Sequence, residues 1–168
     1  MKYKDKQLLL DIAELVSKQS SGIRLKVGGV VADKHGNIVA TGYNGTVHGF
    51  RTNVLENKFY PKDDGDAVND MVYDYYDHAL DKPYRLETNK EIVIHCEQNL
   101  ISHAARRGIS IDGGMVFLTV SPCQHCTAML IQSGIKEVIY LNEYRLHKEV
   151  KMMYNQHIKL THWNKNEN

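Results

Sequence analysis

From Asp5 to Ser20 the apolar residues Leu8, Leu9, Ile12, Leu15 and Val16 recur at three and four among charged positions, which predicts an amphipathic helix with its stripe against a sheet. Gly22 is the expected stop. The period then changes. Lys26–Ala32 and Asn37–Tyr43 are short β-branched or aromatic runs joined by Asp33-Lys34-His35-Gly36, a pattern that predicts an antiparallel hairpin. Gly42-Tyr43-Asn44-Gly45 then turns the chain away. In the second half, helical and strand-like segments alternate. A helix over Glu97–Arg107 stops at Gly108, a strand covers Met115–Val120, and a helix over Gln124–Ser133 closes at Gly134. A strand over Glu137–Leu141, a helix over Tyr144–Asn155 and a last strand over Ile158–Thr161 complete the series. Such alternation calls for a central mixed sheet with helices on both faces, an α/β fold.

Between these halves, Thr46 to Glu91 is polar and interleaves Asp70, Asp74, Asp77 and Asp81 with Tyr73, Tyr75 and Tyr76. It is too long for a bare connection. A mobile loop with one short helix around Ala67–Leu80 is expected there. Asp63-Asp64-Gly65-Asp66 lacks the alternating oxygen spacing of a calcium loop, so a solvated acidic face is the better reading. At 168 residues the chain is read as a single domain over 1–168, with an inserted region at about 46–91.

Charge and cysteine usage narrow the chemistry. Lys plus Arg number 21 against 20 for Asp plus Glu, a net charge of +1, so no basic field is available for a long polyanion, and a nucleic-acid partner is disfavoured without being excluded. The amino terminus lacks the apolar core and cleavage site of a secretory signal, and no later run is long enough to cross a bilayer. The expectation is a cytoplasmic protein with no membrane partner. Three cysteines, Cys96, Cys123 and Cys126, with the last two in a C-x-x-C, suggest metal or redox chemistry in a reducing compartment.

His95-Cys96-Glu97 and Pro122-Cys123-Gln124-His125-Cys126 match the signature H-x-E…P-C-x-x-C of zinc deaminases. That resemblance implies His95, Cys123 and Cys126 as ligands of one catalytic Zn2+ and Glu97 as the catalytic acid and base. The spacing suits these roles. Two thiolates three apart in the first turn of a helix lie on one side of it, where the helix N-terminus favours negative charge, and Pro122 suits such a start. A His-Cys-Cys set leaves the fourth zinc position open for water, which is the mark of a catalytic site. Glu97 would then carry the water's proton to ring N3 and later deliver one to the departing amine. A structural zinc knuckle, with His125 or His103 as fourth ligand, and a redox pair are the competing readings.

Further segments extend the resemblance: Lys26-Val27-Gly28-Gly29-Val30-Val31, Gly42-Tyr43-Asn44-Gly45, His95 to Ile101, Ser121 to Cys126, and Gln132-Ser133-Gly134-Ile135-Lys136 through Tyr140. In this order they are similar to deoxycytidylate (dCMP) deaminases, from Arg24 to Tyr144 and weakly in the insert. The resemblance implies a three-layer α/β/α cytidine-deaminase-like fold with a central mixed five-stranded sheet. It also implies hydrolysis of dCMP to dUMP and ammonia, which supplies dUMP for thymidylate synthesis. Asn44 is implied at the deoxyribose, where an amide both donates and accepts, although Asn-Gly is equally a turn signal. Arg106, eleven residues beyond His95, is implied at the 5′ phosphate, although a basic surface at the helix end, with Arg107 beside it, explains it too. Backbone groups around Cys96 and Ser121 are implied at the base edge, and Tyr144 over the nucleotide or merely capping the core.

The family is often hexameric, activated by dCTP with Mg2+ and inhibited by dTTP. Arg24, Lys26, Gly28, Gly45, Arg51 and His103 are the implied effector residues, although Arg24 and Lys26 also read as solvated ends of a strand. Cys96 stands where the family commonly has alanine. Some phage relatives carry a second, structural zinc, and no cysteine is left for one here. Rival functions are a deaminase of free (deoxy)cytidine or of a base in nucleic acid, and a catalytically silent nucleotide-binding module.

Overall fold

The structure is a computed structural model that describes residues 3–20, 22, 25–47, 55–60, 72–77, 82–87, 93–144 and 155–164. In chain order the elements begin with helix α1 (Tyr3–Ser17), β1 (Gly28–Ala32) and β2 (Ile38–Tyr43). Next come β3 (Gly45–Thr46), β4 (Leu55–Tyr60), β5 (Val72–Asp77), β6 (Lys82–Glu87) and β7 (Val93–Ile94). The last are α2 (Cys96–Arg106), β8 (Met115–Val120), α3 (Gln124–Gln132), β9 (Glu137–Asn142) and β10 (Lys159–His162). The chain divides into two compact units, Met1–Asn44 with His95–Asn168, and Gly45–Ile94.

The larger unit is built on a five-stranded sheet in the order β10-β9-β8-β1-β2. β1 is antiparallel to both β2 and β8, while β8, β9 and β10 run parallel, so the sheet is mixed. Strand side chains alternate between faces, and the register turns that alternation into two cores. Val30, Phe117 and Ile139 pair across three strands and pack with Leu9, Leu10 and Ala13 of α1 and with Trp163. The adjacent rows, Val31 with Val116 and Val138, and Leu118 with Tyr140, face Leu100 and Ala104 of α2 and Leu130 of α3. One helix lies on one face and two on the other, which is the three-layer α/β/α architecture expected from the sequence.

Several expectations need correction. Leu8 and Leu15 are 58% and 63% exposed; Leu9, Leu10 and Ala13 carry the buried face of α1 instead. The reason is close backbone approach. A Cβ on Gly28 would lie 2.2 Å from Ala13 O and 2.4 Å from Ser17 N, so α1 turns its small-residue side to the sheet. The helix also ends at Ser17, and a tight turn follows in which Gln19 N donates to Val16 O and Ser20 N to Ser17 O, both at 3.0 Å.

In the smaller unit β3 pairs with β7, and β4, β5 and β6 form an antiparallel three-stranded sheet. The helix expected around Ala67–Leu80 is replaced by strand over Val72–Asp77. Val72, Tyr73, Tyr75 and Tyr76 are strand formers, and that preference prevails. Residues 61–71 and 78–81, including the Asp63 to Asp66 cluster, lie outside the described residues. So does most of the helix expected over Tyr144–Asn155, of which residues 145–154 are not described.

β2 is the edge strand, and α2 covers its free side. Asn44 N donates to Val27 O, which turns the even-numbered residues toward β1 and leaves the odd carbonyls pointing outward. Three side chains of α2 meet them: Asn99 Nδ2 at Tyr43 O (2.7 Å), His103 Nδ1 at Thr41 O (3.0 Å) and Arg107 Nη1, just past the helix end, at Val39 O (3.0 Å). Four-residue steps along a helix rise about 6 Å and two-residue steps along a strand about 6.7 Å, so the two ladders stay in register.

Candidate metal centre and active site

His95 is the N-cap of α2, with extended backbone at φ −70° and ψ 156°. Its N–H donates to Gln98 Oε1 at 2.8 Å, one half of a capping box that fixes the helix start. Cys123 is the N-cap of α3, and both the N–H and the hydroxyl of Thr127 donate to its carbonyl at 2.9 Å. Pro122 therefore precedes the helix rather than sitting in its first turn. Cys126, buried in that turn, points to the same side as Cys123. His95 Nδ1 lies 3.6 Å from Cys123 Sγ and 3.4 Å from Cys126 Sγ, and all three donor atoms fall within 4.8 Å of one another.

This donor set fits zinc. With bonds of about 2.1 Å to nitrogen and about 2.3 Å to sulfur, a tetrahedral zinc has nitrogen-to-sulfur edges of about 3.6 Å. Among the described residues the group contains these three donors and no fourth, which leaves one tetrahedral position for a non-protein ligand. His125 is exposed, and His103 is committed to Thr41 O through a ring N–H that the carbonyl requires.

The electrostatics of the group are those of a shared proton. The hydrogen bond from Cys126 pulls the Cys123 thiol down to about 3, and the same bond pushes Cys126 upward. His95 is raised, chiefly by its hydrogen bond to Cys123. A divalent cation between them would draw both sulfurs to thiolates. Glu97, 4% exposed, is pushed up to about 7 by burial, and Cys126 hydrogen-bonds to it. It is not one of the three clustered donors. Cys96 is fully buried, its thiol donates to Gly42 O at 3.2 Å, and burial pushes it well above the usual thiol range.

The other predicted residues are distributed as follows. Ser121 N donates to Asn142 O at 2.8 Å, Asn142 Nδ2 donates to Thr119 O at 2.9 Å, and Tyr144 N donates to Ser121 Oγ at 2.7 Å. This clamp brings Tyr144 beside the segment leading into Cys123. Asn44 ends β2 with its amide bonded to the chain around Leu25 and Val27. Arg106 is exposed at the far end of α2, about 16 Å along the axis from His95. Lys26 is exposed, Gly28 is buried against α1, and Gly45 belongs to the smaller unit. Arg24 and Arg51 lie outside the described residues. Sequence reasoning missed Gln98, Asn142 and Ser20. Gln98 alone had a signal, its place three residues past the helix start.

The family model for the cytidine and deoxycytidylate deaminase zinc-binding region matches residues 3–142. The chain belongs to this deaminase family. The deaminase is 34% identical over 155 residues to the deoxycytidylate deaminase of Enterobacteria phage T2, covering 83% of this chain and 81% of that one. The dCMP deaminase of cyanophage S-TIM5, solved in apo form, superposes with a TM-score of 0.69 at 30% identity, covering 97% of this chain and 100% of that one. The same cyanophage enzyme solved in complex with dCMP and dUMP gives the same TM-score and identity. This deaminase thus brings His95, Cys123 and Cys126 together at two helix starts, and no helix among its described residues is long and apolar enough to cross a membrane.

Proposed function

We propose that this deaminase hydrolyses dCMP to dUMP and ammonia with one catalytic zinc per chain. The observation that carries the chemistry is the three-donor group with buried Glu97 beside Cys126. The substrate is supported by the cyanophage relative whose complex holds dCMP and dUMP.

His95, Cys123 and Cys126 would hold the ion. A zinc ion held by these three residues would lower the pKa of a bound water toward neutrality and so would supply a nucleophile at working pH. Glu97 would take one proton from the attacking water and place it on N3, then take the remaining proton of the new C4 hydroxyl and pass it to the exocyclic amine, which leaves as ammonia while the C4 carbonyl forms. A carboxyl poised near neutrality both accepts and gives at working pH. The N-terminus of α2 and the backbone at Ser121 hold the base edge, and Tyr144, fixed by the Ser121 hydroxyl, closes over the nucleotide. Asn44 meets the sugar. Arg106 reaches the 5′ phosphate, a span that an extended nucleotide and an arginine side chain cover together. Regulation by dCTP with Mg2+ and by dTTP, in a hexamer, is a further part of this reading and rests on resemblance alone, with exposed Lys26 and His103 as the described basic residues of that set.

Following the ultraviolet change from cytosine to uracil with dCMP, deoxycytidine, CMP and dCTP, each with and without dCTP or dTTP as effector, tests it. dCMP is expected to be the best substrate. Arg106→Glu is expected to reduce turnover of dCMP by at least tenfold more than that of deoxycytidine. Equal loss for both would remove the phosphate contact from the account.

A further inference from the structure

Asn44 is the one asparagine in the sequence that glycine follows. That pairing carries a covalent chemistry of its own. Gly45 has no side chain to shield its nitrogen or restrict its dihedrals, so the nitrogen can attack Cγ of the thermolabile Asn44 amide. The Gly45 N–H proton leaves, a five-membered imide closes, the Cγ–Nδ2 bond breaks and ammonia departs. Water then opens the ring at either carbonyl. One opening gives aspartate, and the other gives isoaspartate, with the main chain rerouted through Cβ and Cγ.

The fold holds this amide in a cage. Asn44 Oδ1 accepts from Val27 N at 2.7 Å and lies 2.6 Å from Ser20 Oγ, while Asn44 Nδ2 donates to Leu25 O at 2.8 Å. The backbone is pinned at the same place, where Asn44 N donates to Val27 O at 3.0 Å. Ring closure requires the amide to turn toward Gly45, which breaks the bonds at Oδ1 and Nδ2 together. It also makes Cγ tetrahedral and pushes Nδ2 out of the amide plane. Little room exists for that, since a Cβ on Gly22 would stand 2.7 Å from Nδ2. Once formed, the product does not fit the cage. A carboxylate only accepts, so two acceptors would face each other where Nδ2 donated to Leu25 O.

We propose that Asn44–Gly45 is a covalent modification site gated by folding. It is closed while the cage is intact, opens when the segment carrying Ser20, Leu25 and Val27 parts from Asn44, and is irreversible once used. The proposal goes beyond the deamination of a nucleotide and does not depend on which substrate the metal site takes.

The test incubates the zinc-loaded protein at mildly alkaline pH, folded in buffer and unfolded in guanidinium chloride, and follows the tryptic peptide 35–51 by mass. Asn37, in the same peptide, is followed by a hindering isoleucine and serves as the internal reference. In denaturant Asn44 is expected to convert about tenfold faster than Asn37 or more, and in the folded protein about tenfold slower than in denaturant or more, because only the opened fraction reacts. Rates at Asn44 that agree within twofold in the two states overturn the gate, and conversion that favours Asn37 overturns the site. Asn44→Asp, which carries the product side chain directly, is expected to lower the thermal unfolding midpoint by about 4 °C, and an unchanged midpoint overturns the irreversibility. Should that variant not fold, parent chains deamidated in denaturant and returned to buffer carry the comparison. Converted chains are expected to be depleted from the folded fraction, and an equal share there overturns the irreversibility in the same way.

Discussion

Glu97 combines two properties that a surface carboxylate lacks: burial holds its pKa near 7, and the backbone that carries it begins at His95. A proton carrier needs both, affinity matched to working pH and a fixed place beside the reacting atoms. Glu97→Ala is expected to retain one zinc per chain while ammonia release falls by about 10²–10⁴-fold, the usual range for lost acid-base catalysis. Metal analysis beside an ammonia assay checks it, and undiminished release removes Glu97 from the reaction. The motif residues were legible because chemistry dictates their type and spacing. Ser20 and Asn142 were not, since a lone serine past a helix end and an asparagine at a strand end show nothing in the pattern of their partners, which lie 24 and 23 residues away in sequence. Cys96 fits where alanine is common because its thiol finds the Gly42 carbonyl instead of the metal group.

At the scale of the element, α2 carries both His95 and Glu97, so under the proposed reaction its axial position against β2 would set where both groups stand. The ladder from Asn99, His103 and Arg107 sets that position and blunts the sheet edge. Each substitution to alanine is expected to cost about 1 kcal/mol in urea unfolding. The triple variant is expected to self-associate through the freed edge, and one with the parent's stability and sedimentation profile would contradict the ladder's role.

β9 offers a pH-dependent counterpart. Burial raises the Glu137 pKa, but hydrogen bonds from Lys159 and Thr161 and the charge of Lys6 outweigh it, and the net value falls below the ordinary 4.5. A lowered carboxylate pKa means that the unfolded chain binds more protons in acid. The stabilisation is therefore complete above pH 4.5 and lost as pH falls through the folded value. Glu137→Gln is expected to flatten the acid limb of unfolding midpoints taken between about pH 3 and pH 6. An acid limb as steep as the parent's would contradict it.

The hairpin, the central strands and the two helix starts of the site were legible from period and caps. The inner face of α1 was not, because a glycine-to-helix approach across 15 residues of sequence decided it. The strand over Val72–Asp77 was missed although Val72, Tyr73, Tyr75 and Tyr76 are strand formers.

Across the whole molecule, sheet order and function are linked through one geometric fact. β8 and β1 sit at the middle of the sheet, α2 and α3 pack on the same face, and their N-termini converge where His95 meets the cysteine pair. The family match over residues 3–142 spans both helices and the hairpin that supports them. Everything proposed for the reaction depends on a metal site with three protein ligands and one open corner. Zinc K-edge absorption of the zinc-loaded protein reads that directly. The expected shell is two sulfurs at about 2.3 Å, one imidazole nitrogen and one light oxygen scatterer at about 2.0–2.1 Å. A second imidazole or a third sulfur would mean a closed structural site, and would contradict the account.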